Sequence, residues 1–182
     1  MLKGKRIAVY CSSARDPEPA SQKAASAFGT RLGREGCTLV FGGTATGLMK
    51  LLADAALASG APVYASIPKQ FQDKAFQGCT ELHVAADLRE RKARMESWAD
   101  AMVCLPGGFG TLDELAETLA QQRLGVHHKP LVLLNLNGFY EPFSLFVDRM
   151  IADGHAPESS RSLFYLAPNV EAVFEHLEQR WA

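Results

Sequence analysis

Apolar positions along this chain fall into two kinds of pattern that alternate. Short strand-like runs, most of them continuously apolar, occur at Ile7–Cys11, Thr38–Phe41, Pro62–Ile67, Glu81–Ala85, Ala101–Leu105 and Pro130–Asn135, with a seventh at Ser162–Ala167. Between them lie stretches whose apolar residues recur at helical spacing. In Pro19–Gly36, for example, Ala20, Ala24, Ala27, Phe28 and Leu32 share one face, and Gly36 closes the segment. Gly47–Ser59, Asp87–Ala99, Thr111–Arg123, Phe139–Ala152 and Asn169–Trp181 read as further helices, and the polar stretch Lys69–Gly78 reads as a loop. Runs that do not alternate predict strands buried on both faces. Strands alternating with helices predict right-handed βαβ units on a parallel sheet. The expected fold is a doubly wound, Rossmann-like α/β sandwich. Residues 1–182 form one nucleotide-binding domain in this reading, with no repeat, low-complexity tract or linker.

Composition narrows the function. The net charge of −1 offers no broad basic surface for nucleic acid or anionic lipid, so neither is expected as a partner. No run of about 18 apolar residues is available to span a bilayer. Met1–Lys5 leads into the first strand without the apolar segment of a signal peptide. Cys11, Cys37, Cys79 and Cys104 are spread out, with no CxxC, which suits small buried thiols in a reducing cytoplasm. The five histidines show no metal-ligand spacing, so no metal is expected, and no GxSxG elbow is present.

Ligands of open parallel sheets bind beyond the carboxyl ends of the strands. Two glycine-rich turns fall at such ends, Gly42-Gly43-Thr44-Ala45-Thr46-Gly47 and Pro106-Gly107-Gly108-Phe109-Gly110-Thr111. Each opens a helix whose free amides favour an anion. Neither carries a dinucleotide fingerprint or a P-loop ending, so a mononucleotide or sugar phosphate is the expected ligand and no cofactor is implied. Thr111 and Glu114 have the spacing of a capping box, which accounts for both without chemistry. Alternatively, Glu114 reaches a ribose held at the turn. On the helix Asp87–Ala99, Leu88, Met95 and Ala99 define the apolar centre, with Lys92 at one margin. Arg91 falls inside the apolar arc, where a guanidinium needs a carboxylate or a phosphate. A snorkelling or structural arginine fits the same spacing. Ser12 and Ser13, after the first strand, line the crevice or simply cap the turn.

The pair Arg91-Lys92 followed by Pro106-Gly107-Gly108-Phe109-Gly110-Thr111-Leu112-Asp113-Glu114 resembles the signature of the LOG (LONELY GUY) family of cytokinin-activating phosphoribohydrolases. The turn Cys11-Ser12-Ser13, the segment Gly42–Met49, Ile67-Pro68-Lys69 and Leu124–Tyr140 are similar to the family in the same order. The likeness implies hydrolysis of the N-glycosidic bond of a purine nucleoside 5′-monophosphate, giving free base and ribose 5-phosphate. It implies Arg91 and Glu114 as catalytic residues, and Gly107, Gly108, Gly110 and Thr111 as the phosphate turn. Lys92, Ser13, Gly43 and Met95 join the expected substrate-binding set. A homodimer or an assembly of dimers is implied, with the site near the interface. The sequence departs from the family at Ser12, Thr44 and Lys50, where glycine is usual, which bears on substrate choice and phosphate geometry rather than on the reaction. Some family members carry a lysine decarboxylase label, but no Schiff-base lysine or pyridoxal phosphate site is identifiable here. A nucleotide-binding module without catalysis and a general nucleotide nucleosidase are the competing readings.

Overall fold

A computed structural model describes residues 2–182. Met1, where the reading of the amino terminus begins, lies outside the described residues. Seven strands form one sheet: β1 (Arg6–Tyr10), β2 (Thr38–Phe41), β3 (Val63–Pro68), β4 (Glu81–Ala85), β5 (Ala101–Cys104), β6 (Leu131–Leu134) and β7 (Tyr165–Ala167). All neighbouring pairs are parallel, in the order β4-β3-β2-β1-β5-β6-β7. The expected doubly wound arrangement is therefore present. The chain winds outward from β1 to β4, then returns to pair β5 with the other edge of β1. That reversal opens a crevice beyond the carboxyl ends of β1 and β5.

Six helices cover the two faces: α1 (Pro19–Arg34), α2 (Gly47–Ala58), α3 (Leu88–Trp98), α4 (Phe109–Arg123), α5 (Glu141–Ala152) and α6 (Val170–Arg180). Because strand side chains alternate, each strand feeds two cores. Ile7, Val9, Leu39 and Phe41 pack with Phe28 of α1, Leu52 of α2 and Phe174 of α6. Ala8, Tyr10, Val40 and Met102 pack with Met95 of α3 and Leu115 of α4 on the other side. β1, β5 and β6 are buried from end to end apart from Arg6, as their unbroken apolar runs require.

Three segments depart from the expectation. Lys69–Lys74 forms a 3-10 turn inside the stretch read as loop. Glu158–Leu163 forms another, which leaves only three residues for β7. Helix α4 starts at Phe109, two residues earlier than expected, with Gly108 as its N-cap. Thr111 is then the third helical residue, so the Thr111–Glu114 capping box does not form. A sequence search for an oxygen-bearing cap passes over a glycine, whose side chain offers none.

Candidate active site

The crevice holds a cavity of about 470 Å³. Its floor comes from strand ends: Cys11 after β1, Gly42 after β2 and Pro68 closing β3. One wall is the first two turns of α4, from Gly108 through Thr111 to Glu114, and another is Leu88 and Arg91 of α3. Ser12, Ser13 and Met49 complete the inner side, and Phe71 of the 3-10 turn stands at the mouth.

Arg91 is delivered by a well-capped helix. The Asp87 carboxylate accepts the N–H groups of Arg89 and Glu90 at 2.8 and 2.9 Å. Glu90 reaches back to the Ala86 N–H at 2.6 Å, one residue before the cap. One turn into α3, Arg91 points inward and is 8% exposed. Its Nη1 donates to Glu114 Oε1 at 2.7 Å, and its Nε donates to the Ser66 carbonyl at 3.2 Å. Glu114 is 4% exposed. The inward arginine thus finds its carboxylate within the same chain. Breaking one partner of such a buried pair typically costs about 3–5 kcal/mol, because the other charge is left unpaired. Burial pushes the Glu114 carboxyl above the ordinary carboxylate range, and the adjacent Arg91 guanidinium pulls it back only in part.

The guanidinium fits because position 42 is glycine. A Cβ on Gly42 would lie 1.9 Å from Arg91 Nη2. Gly43 serves the turn instead, with φ +81° and a carbonyl that accepts Phe76 N–H at 2.8 Å.

The two glycine turns differ in what their amides meet. At α2, the Leu48 and Met49 N–H groups both point to the Ser12 carbonyl, at 2.9 and 3.4 Å. That helix start is occupied by protein. At α4, the first ladder bond runs from Leu112 N–H to Gly108 O at 3.0 Å. The N–H groups of Phe109, Gly110 and Thr111 lie outside that ladder, facing the side where an anion is favoured. The loop before them is held by Tyr140, whose buried hydroxyl donates to the Leu105 carbonyl at 2.7 Å.

Of the residues expected to bind substrate, Arg91, Glu114, Gly108, Gly110, Thr111 and Ser13 line the cavity. Gly43, Lys92, Met95 and Gly107 do not. Met95 is fully buried in the core with Met102 and Leu115. Lys92 bridges α3 to α4 through Asp113, at 2.8 Å, and Glu117. Burial lowers the Lys92 pKa, but the two carboxylates outweigh it and the net shift is upward. Gly107 lies behind the turn, and a Cβ there would meet Thr111 Oγ1 at 2.1 Å. Leu88, expected in the apolar centre of its helix, instead projects at the cavity, 48% exposed. Phe71 and Gly42 were not singled out by sequence. An aromatic in the polar stretch Lys69–Gly78 was the signal for the first, and a glycine directly after a strand for the second.

A second, apolar recess of about 820 Å³ shares Gly108, Phe109 and Thr111 with the first and continues across α4 and α5. Phe109 is 90% exposed there and Phe146 60%.

Comparison with known proteins gives three results. A family model described as "Possible lysine decarboxylase" matches residues 49–177. The cytokinin riboside 5′-monophosphate phosphoribohydrolase LOG of Oryza sativa subsp. japonica is 39% identical over 177 residues, 96% of this chain and 73% of that protein. The corresponding LOG7 of Arabidopsis thaliana is 38% identical over 96% of this chain and 82% of that protein. Among solved structures, the molybdenum cofactor binding protein from Rippkaea orientalis superimposes with a TM-score of 0.76, covering all of both chains at 20% identity. At that identity the likeness speaks to the fold alone.

Proposed function

The chain belongs to the LOG family of phosphoribohydrolases, and from that membership we propose that it hydrolyses the N-glycosidic bond of an adenosine-type nucleoside 5′-monophosphate, releasing the free base and ribose 5-phosphate. The observation that carries the reading is the buried Arg91–Glu114 pair set beside the open amides of α4. The 5′-phosphate sits against the N–H groups of Phe109, Gly110 and Thr111, with Ser13 on the opposite side. That places the ribose over Glu114. As the glycosidic bond breaks, positive charge builds on the sugar. The Glu114 carboxylate steadies that charge and takes a proton from the water that attacks the anomeric carbon; the departing base takes up a proton from solvent on its ring nitrogen, and Glu114 afterwards releases its own to solvent. Arg91 opposes the upward push of burial on the Glu114 pKa and so favours its carboxylate form, and it fixes which oxygen faces the sugar.

Met49, Pro68, Phe71 and Leu88 supply apolar lining to the same cavity. That lining suits an adenine carrying an apolar N6 substituent. The decarboxylase description of the family model finds no amine here, since no lysine lines the cavity among the described residues. In this reading the whole chain acts as one domain in the cytoplasm, where four unpaired thiols are at home. The exposed face of α4 and α5 seats a second copy, which closes the recess adjoining the cavity.

The test is base release from AMP and from isopentenyladenosine 5′-monophosphate, read by chromatography, with Glu114→Gln as control. Release by the parent protein and not by the variant supports the reading, and the ratio of the two rates sets the preferred base. Binding of either nucleotide without release by the parent protein points to a binding module instead. Light scattering of Phe146→Glu tests the assembly, with loss of the dimer expected.

A further inference from the structure

The amino edge of the sheet, opposite the nucleotide cavity, carries a separate recess of about 320 Å³ between the starts of β6 and β7 and the last turns of α4 and α6. None of its lining residues is acidic, while His128, Lys129, His176 and Arg180 all line it. Arg180 has no carboxylate partner among the described residues. Lys129 spends one ammonium hydrogen on the Glu96 carbonyl at 2.6 Å and keeps two. The recess also has a built wall. The Tyr165 and His176 rings stack at 4.2 Å, 4° from parallel. Gln122 is held by a 2.8 Å bond from its Nε2 to the Lys129 carbonyl, which leaves its buried Oε1 unpartnered.

We propose that this recess is a second, non-catalytic ligand site that takes a small phosphomonoester, its anion held by Arg180 and Lys129 and its body resting against the Tyr165–His176 stack. The charge supports an anion, since Lys129 and Arg180 line the recess together with two imidazoles and no carboxylate. Burial and the neighbouring Arg180 hold the His176 pKa below its ordinary value. The size supports a small ligand, because the volume is at the lower end of the roughly 300–1,000 Å³ usual for ligand pockets. Guanidinium and phosphate match in geometry, so Arg180 is the principal contact.

The histidines make a local reporter. His128 and His176 line this recess and no histidine lines the nucleotide cavity. Their ring resonances, assigned through His128→Asn and His176→Asn, are followed by NMR while glycerol 3-phosphate is added, with sodium chloride at matched ionic strength as control. The expected result is a saturable shift with a midpoint below about 10 mM, weakened about tenfold in Arg180→Gln. Base release by Arg180→Gln should equal that of the parent protein, which also shows that the variant folds. A shift that does not saturate, an equal shift with sodium chloride, or the same midpoint in Arg180→Gln removes the site.

Discussion

Replacing Gly42 by alanine should abolish most activity while leaving the fold intact. The added Cβ would stand 1.9 Å from Arg91 Nη2 and 3.0 Å from Arg91 Cζ. Ordinary contact begins at 3.4 Å, so the guanidinium must retreat by 1.5 Å, the difference 3.4 − 1.9. What must move is the far end of a flexible side chain, and no backbone atom is among the nearest neighbours. The cost therefore falls on the Arg91–Glu114 bond rather than on the sheet. A retreat of that size opens the 2.7 Å contact beyond hydrogen-bond range. Both charges then stay buried without each other, so the loss of stability should reach the roughly 3–5 kcal/mol typical of a broken buried pair. For turnover, a misplacement of about 1 Å in such a site costs on the order of 10²-fold.

The assay is kcat for base release in Gly42→Ala, Arg91→Ala and the double variant. If alanine at 42 acts only by displacing the guanidinium, it does no further harm once Arg91 is gone. The double variant should then match Arg91→Ala within about twofold. Additive losses, or a Gly42→Ala protein as active as its parent, would refute the steric argument.

Three further outcomes are expected. Burial raises the Glu114 pKa, so the folded protein binds that proton more tightly than the unfolded chain does. The stability this contributes is full below the ordinary carboxylate pKa and is lost as pH rises through the raised value, so urea midpoints of Glu114→Gln should lack that part of the pH dependence. The acid limb of base release should likewise lie above pH 4.5, the ordinary glutamate value, and a limb at or below it would remove Glu114 as the ionised group. Tyr140→Phe leaves the buried Leu105 carbonyl without its donor and should cost about 1–3 kcal/mol in chemical denaturation. Lys92→Met should cost roughly 0.2–1 kcal/mol, with a difference that shrinks in high salt, because its partner carboxylates Asp113 and Glu117 are partly exposed. A loss of binding without loss of stability in that variant would return Lys92 to the substrate site.

Most of the fold was legible because strands covered on both faces must be apolar, as β1, β2, β3, β5 and β6 largely are, whereas the edge strand β4 is mostly exposed. β7 was less so, since three residues on a sheet edge carry little pattern. Within the site, the inward position of Arg91 followed from its place on the helical wheel. Its partner did not, because Glu114 lies 23 residues away and only the packing of α3 against α4 joins them. The wheel also treats every turn of a helix alike. It therefore placed Leu88 with Met95, although the first turn of α3 overhangs the cavity while the second and third are covered by the sheet.

The two glycine turns show why spacing alone does not assign an anion site. Both follow a strand, both open a helix, and both offer amides at the same edge of the sheet. The deciding atom belongs to neither. It is the Ser12 carbonyl, carried over from the end of β1, which accepts the first amides of α2 and leaves those of α4 free. A helix start that already holds a carbonyl has its donors satisfied, and an anion there would have to displace a bond already made. The phosphate of the proposed substrate therefore belongs at Phe109–Thr111, two strands over from the equally glycine-rich turn at Gly42–Gly47. Gly42 then has a different purpose, which is to leave room for the Arg91 guanidinium.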